Sequence, residues 1–253
     1  VEQYVHTLTH EMKSPLSAIR GAAELLQEGN VPDPMRARFL ANIDGESLRL
    51  QRLVDRLLSL AGVEKRQALE QTEIIDLAEI AAIELEAKRP LAERKNLTLQ
   101  LDTGSDCALE GDRFLLEQAI SNLLDNAIEF SLSGGAITLQ ISTSGTALSL
   151  RVRNDGPAVP DYALGRVFER FYSLPRPDGQ RKSTGLGLSF VREIARLHHG
   201  RVSLYNRAEG GVEVEMILVK HHSIMTSQVK TLVTTLLVEL LLLVRNGKQQ
   251  HMV

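Results

Sequence analysis

The sequence predicts a multidomain α and α+β chain. An antiparallel helical hairpin, paired with a second copy as a dimeric four-helix bundle, precedes an α/β sandwich. Three observations predict it. Apolar residues recur at spacings of three and four on both sides of a single turn signal in the first 65 residues. Short alternating stretches interleave with helical ones from 73 to 219. The composition, 43% hydrophobic and 24% charged over 253 residues, supplies a core without exceeding that of a soluble chain.

Residues 1–28 read as one helix, with Val5, Leu8, Met12, Pro15/Leu16, Ile19, Ala22/Ala23 and Leu26 forming its stripe. His10, Lys13, Ser14, Ser17 and Glu24 lie off that stripe. Pro15 removes a backbone donor and should kink the helix. Gly29 to Pro34 is a stop-and-restart signal. A second helix, about 35–65, carries the heptad-like seam Leu40, Ile43, Ser47, Leu50, Val54, Leu57 and Ala61. Phe39, Leu53, Leu58 and Leu60 widen it beyond what one partner helix covers. A hairpin this apolar calls for a second copy, hence a homodimer.

After a boundary near 66–72, strands are expected at 73–77, 97–102, 136–143, 147–153, 201–206 and 212–219. Helices are expected at 78–94, 112–130 and 186–198. The domains therefore run 1–66 (helical hairpin), 72–219 (sandwich) and 220–253 (an extension of unassigned role). Within the extension, Leu232 to Val244 is almost wholly apolar but interrupted by Glu239. It is shorter than the roughly 20 residues a bilayer span needs, so a packing helix is the plainer expectation.

A net charge of −3 and a sequence pI near 6.2 argue against a nucleic-acid partner. The single cysteine, Cys107, excludes an internal disulfide and suits a reducing compartment. No secretory signal opens the chain. Val1 already falls within a helical pattern, and the expectation is a fragment whose upstream part is missing.

Four stretches carry chemistry. In Leu8-Thr9-His10-Glu11-Met12-Lys13-Ser14-Pro15-Leu16, an imidazole on the solvent side of a dimerising helix is an accessible nucleophile. Glu11 beside it can manage the ring proton. In Glu117 to Ala127, Asn122 and Asn126 share one helix face four residues apart. Their amides can ligate Mg²⁺ through oxygen and donate to phosphate. Asn154-Asp155-Gly156-Pro157-Ala158 follows a strand and offers a side-chain acceptor beside a turn. In Ser183-Thr184-Gly185-Leu186-Gly187-Leu188, two glycines precede a helix and let backbone N–H groups approach phosphate. Taken singly, each has a plain reading: a surface histidine, a polar helix face, a hairpin turn, a loop.

Together, in this order, they resemble the H-box, N-box, first glycine box and second glycine box of two-component sensor histidine kinases. Val167 to Tyr172 resembles the F-box that lies between the glycine boxes. The resemblance spans residues 8–188 and continues to about 219. It implies an ATP-dependent protein-histidine kinase that phosphorylates His10 and passes the phosphoryl group to an aspartate of a response regulator receiver domain. Ser14, four residues after the histidine, takes the place used for regulator dephosphorylation. Asn122 is implied as the Mg²⁺ ligand. Asn122, Asn126, Phe130, Asn154, Gly156, Arg170, Thr184, Gly185, Leu186, Gly187 and Leu188 are implied at the ATP site. A protein of this kind sits in the bacterial inner membrane, anchored through upstream segments, with this part on the cytoplasmic side.

The chain departs from the pattern at three places. Asn154 stands where the family has an adenine-reading Asp, Ala158 replaces the second glycine, and Glu129 occupies a position where many members carry a phosphate-reaching Lys. A carboxylate at 129 repels a triphosphate unless its side chain points away, Mg²⁺ intervenes, or cations of the basic loop Ser173 to Lys182 (Arg176, Arg181, Lys182) compensate. The alternative these departures leave open is an ATP-deficient dimeric scaffold that binds or dephosphorylates a regulator.

Overall fold

The structure, a computed structural model, describes residues 2–27, 29, 31–177 and 184–220, with side chains from residue 8 onward except that of His10. Arg181, Lys182 and the extension from 221 lie outside the described residues.

Helices α1 (Glu2–Gln27) and α2 (Asp33–Lys65) form the hairpin. Glu11 of α1 meets Arg49 of α2 at 3.7 Å, a pairing symmetric about the turn near residue 30, as antiparallel packing requires. Pro15 lies inside α1 with its ring buried, and the helix continues through it. Pro32 precedes α2 and Pro34 occupies its first turn, where a missing N–H breaks no bond.

The expected seam of α2 divides between three faces. Glu46, Leu53, Leu60 and Val63 are buried, while Ile43, Leu50 and Leu57 are half-buried. Leu40, Val54 and Leu58 remain 54%, 40% and 68% exposed. At 100° per residue these three lie within about 40° of one another on the helix and form one stripe, while Met35 and Leu48, 50% and 44% exposed, lie off it.

The sandwich comprises β1 (Glu73–Asp76), α3 (Leu77–Glu93), β2 (Thr98–Thr103), β3 (Ala108–Gly111), α4 (Arg113–Phe130), β4 (Ala136–Ser144), β5 (Ala147–Asn154), α5 (Asp161–Leu164), α6 (Gly187–Leu197), β6 (Arg201–Asn206) and β7 (Val212–Val219). The main sheet runs β2-β4-β5-β7-β6, with β2 and β4 parallel and the other pairs antiparallel. Strands β1 and β3 pair separately. The sequence reading missed β3 and α5, which lack a β-branched apolar pair such as Ile74-Ile75 of β1.

Strands β4, β5 and β7 alternate buried and half-exposed residues, so one face of the sheet is covered. Ile137, Leu139, Leu148, Leu150, Met216 and Leu218 on that face meet Ile80, Leu116, Ile120, Leu124, Val191 and Ile194 from α3, α4 and α6. Burying each such side chain contributes about 1.5–3 kcal/mol.

Asp112 caps α4 by accepting from the Leu115 N–H at 3.1 Å. Its own N–H donates to Nε2 of buried His198 at 3.1 Å, while Nδ1 of that ring lies 2.8 Å from the Ile194 carbonyl. An Nε2 that accepts leaves the proton on Nδ1, so the ring is neutral. Gly111 makes room for it, since a Cβ there would fall 2.9 Å from the ring.

Leu53, Leu60 and Val63 of α2 join the buried cluster of the sandwich. The join is reinforced by the Arg66–Asp112 pair at 3.5 Å, by Arg196 donating to the Arg66 carbonyl at 3.1 Å, and by an ion pair between Glu64 and Arg170.

Candidate functional site

Where the covered layer between sheet and helices reaches the C-terminal end of β5, it opens into a cleft of about 340 Å³. That volume is at the lower end of small-molecule sites. One wall is α4. Its residues Leu123, Leu124, Ala127 and Ile128 are buried in the core, so helical periodicity turns Asn122, Asp125, Asn126 and Glu129 toward the cleft. The floor is β5 through β7 and β6, with Val152, Asn154, Val212, Val214 and Leu204. The segments 157–160 and 172–175, together with Thr184, Gly185, Gly187 and Leu188, complete the rim.

The Asn122 amide nitrogen donates back to the Gln118 carbonyl at 2.8 Å. This fixes its orientation and leaves Oδ1 outward as the atom a cation needs. Oδ1 lies 3.3 Å from where a Gly187 Cβ would stand, so the glycine keeps the ligand position clear. Nδ2 of Asn126 is buried without a partner among the described residues, which leaves a donor for a ligand oxygen.

Asn154 continues the buried stripe Leu148, Leu150 and Val152, and it is 6% exposed. Its neighbour Asp155 points the other way, accepting from the Ala136 N–H at 3.0 Å and pairing with Arg207 at 3.2 Å. The strand alternation therefore places Asn154, and not the adjacent carboxylate, in the cleft. Gly156 leaves room for the Phe130 carbonyl, into which a Cβ would collide. Its part is close backbone approach.

The second glycine box is locked to the F-box. Gly185 has φ +65°, and a Cβ there would meet the Phe171 backbone at 2.5 Å. Its carbonyl accepts from the Phe171 N–H at 2.8 Å, with Phe171 itself at φ 61°. Glycine is required at 185 on both counts. Leu186 is 2% exposed and anchors the start of α6 in the core.

The departures from the family pattern acquire physical accounts. Glu129 lines the cleft, and its Oε1 accepts from Arg176 at 2.6 Å. Burial pushes its carboxyl above the ordinary carboxylate range, opposed by the Arg176 guanidinium. A cation of the basic loop thus meets the carboxylate. Ala158 lines the cleft without a left-handed backbone, so its methyl incurs no strain. Arg170, by contrast, is not brought to the cleft and pairs with Glu64 of α2. The F-box periodicity carries no sign of that partner, because it comes from the other domain.

Sequence reasoning missed Arg56. This residue of α2 reaches the cleft and donates to Oγ1 of Thr184 at 3.2 Å. It also lines an adjoining groove of about 220 Å³ with Asp55, Ser59, Gln118 and Leu186. No local pattern marks an arginine on a hairpin helix as part of a site in another domain.

The acceptor candidates stand apart. Glu11 is half-buried and pairs with Arg49, which also meets Glu46 at 3.4 Å. Ser14 is exposed one helical turn beyond residue 10. The His10 side chain lies outside the described residues. Neither Glu11 nor Ser14 lines the cleft. Among the described residues no cluster of three or more His, Cys, Asp and Glu suits a metal ion.

Residues 1–66 match the family described as "His Kinase A (phospho-acceptor) domain", and residues 111–222 match "Histidine kinase-, DNA gyrase B-, and HSP90-like ATPase". The chain is 48% identical over 221 residues to the sensor protein CreC of Escherichia coli (strain K12), covering 87% of this chain and 46% of that protein. It spans about half the length of the curated relatives it matches. The catalytic domain of histidine kinase ThkA superimposes with a TM-score of 0.54 at 28% identity, over 59% of this chain and 98% of that one. ThkA in complex with the response regulator TrrA superimposes at 0.71, with 24% identity over 86% and 61% of the two chains, a likeness of fold.

Proposed function

This chain belongs to the sensor histidine kinases, and from that premise we propose that it binds ATP in the cleft, phosphorylates its own His10 and passes the phosphoryl group to an aspartate of a response regulator. The observation that carries the reading is the cleft itself, which assembles Asn122 and Asn126, Asn154, and Thr184, Gly185, Gly187 and Leu188 from three distant stretches.

In this reading Asn154 meets the base, the Gly185–Gly187 backbone and the Asn126 amide meet the phosphates, and Asn122 holds Mg²⁺ through Oδ1. Magnesium at that point supplies charge neutralisation on the phosphate oxygens. One ring nitrogen of His10 attacks the γ-phosphorus, the bond to the bridging oxygen breaks, and ADP leaves. Glu11 accepts the proton that the ring then sheds. Ser14, exposed on the same face one turn on, serves the hydrolysis of the phosphorylated regulator, in which water attacks the phosphorus and the aspartate carboxylate and inorganic phosphate are released.

Geometry adds a condition. Arg49 marks the level of Glu11 on α2, and Arg56 marks the level of the cleft. Seven residues of helix separate them, about 10 Å of axial rise. Transfer therefore requires the sandwich to move relative to the hairpin, by hinge motion at 66–72. The contacts of Arg170, Arg196 and Arg66 across that join are the ones to be released.

The exposed stripe of Leu40, Val54 and Leu58 supports a homodimer, in which it is covered by a second copy. The sensor relatives are about twice as long, which supports a membrane-anchored sensor of the bacterial inner membrane carrying this part on its cytoplasmic side. No helix among the described residues is long and apolar enough to cross a membrane. The Glu129–Arg176 pair and the relaxed backbone at Ala158 favour a working nucleotide site over the scaffold alternative.

The test is incubation with γ-labelled ATP and Mg²⁺ beside a His10→Ala variant. Acid-labile, alkali-stable label present in the parent and absent from the variant is expected. A folded parent that takes no label overturns the proposal.

A further inference from the structure

Asn154 is the one departure that changes the chemistry of recognition rather than its strength. We propose that Asn154 makes the site a dual purine reader, accepting guanosine as well as adenosine triphosphate. The inference rests on the cleft being the nucleotide site, and it concerns which base the cleft admits.

An aspartate at this position offers only acceptors. It bonds the 6-amino group of adenine and repels the 6-oxo group of guanine. An asparagine carries an acceptor and a donor on two nearly isosteric ends, exchanged by a half-turn of the terminal torsion. Oδ1 toward the base accepts from a 6-amino group, and Nδ2 toward the base donates to a 6-oxo group.

Whether such a residue discriminates depends on whether the protein fixes its orientation. Asn122 in the same cleft is fixed, because its Nδ2 donates to the Gln118 carbonyl. Asn154 is not. Its Nδ2 is buried without a hydrogen-bond partner among the described residues, although the residue is only 6% exposed and lines the cleft. Gly156 leaves the space beside Nδ2 open, since a Cβ there would fall 2.8 Å from it. The nearest carboxylate, Asp155, is engaged with the Ala136 N–H and Arg207 on the other face of the strand. Turning the amide therefore breaks no bond to Nδ2. The floor beneath, Val152, Val212, Val214 and Leu204, is apolar and packs against the face of either purine ring.

The discrimination lost should be that of a single polar contact read with the wrong partner, on the order of tenfold to a hundredfold. The experiment measures binding, not turnover. The whole chain and its Asn154→Asp variant are titrated with ATP and with GTP, each with Mg²⁺, by calorimetry. The parent should bind the two within tenfold of one another. The aspartate variant should keep ATP and lose GTP, widening the ratio at least tenfold. A parent that binds ATP more than a hundredfold better than GTP, with the ratio unchanged in the variant, overturns the proposal while leaving the cleft an ATP site. A folded parent that binds neither nucleotide overturns both this proposal and the reading it rests on.

Discussion

Replacing Arg176 by Ala isolates the most consequential ion pair in the cleft. Its guanidinium lies 2.6 Å from Glu129 Oε1, and the two side chains are 19% and 29% exposed. A charge-assisted hydrogen bond contributes about 1.5–3 kcal/mol, and partial solvent screening places this one near the lower bound. Fold stability should therefore fall by roughly 1.5 kcal/mol. The effect on nucleotide should be larger. A cleft of 340 Å³, taken as a sphere, is about 9 Å across, so an unpaired Glu129 on its wall lies within that distance of a phosphate charge. At an effective dielectric near 20 the repulsion is about 2 kcal/mol, or roughly 20–30-fold in affinity. Calorimetric ATP titration of the parent, Arg176→Ala and the Glu129→Gln/Arg176→Ala double variant measures it. The single variant should bind ATP weakly, and the double variant should recover to within a few-fold of the parent.

The pH dependence carries the same sign. Burial already raises the Glu129 carboxyl, and losing Arg176 removes the strongest opposing charge. The carboxyl then protonates more readily, so the deficit relative to the parent should shrink from pH 8 to pH 6. If the double variant binds as weakly as the single one, Glu129 is not the source of the repulsion and the account of the missing lysine fails.

Two other expectations concern the scaffold. Burial lowers the His198 imidazole below its ordinary range, so the folded state resists a proton that the unfolded chain accepts near pH 6.5. The stability this neutral ring contributes is present above that pH and lost as pH falls below it. Urea midpoints at pH 8 and 5.5 should diverge more for the parent than for His198→Gln, and equal divergence would refute the assignment. On the hairpin, Val54→Lys and Leu58→Lys place charge on the exposed stripe. Both should shift the mass seen by light scattering from dimer toward monomer with little change in helix content, whereas an undisturbed dimer would place the interface elsewhere.

The sequence by itself determined the two-part architecture, the hairpin and most element bounds, because three- and two-residue periodicities are local and long enough to register. It also marked the positions proposed for the nucleotide, because Asn122 and Asn126, and Gly185 and Gly187, are paired at spacings that one helix face or one helix start imposes. Two short elements, β3 and α5, were beyond it, since neither carries a β-branched apolar pair like the Ile74-Ile75 that marked β1. Tertiary structure decided the partners. It sent Arg176 to Glu129, turned Arg170 away to Glu64 and brought Arg56 from α2 into a cleft 128 residues away from it at Thr184. It divided one apparent seam on α2 between the core and an uncovered stripe. Propensity and spacing act between near neighbours along the chain, whereas an ion pair forms between whichever charges packing brings together, and no local rule specifies that meeting.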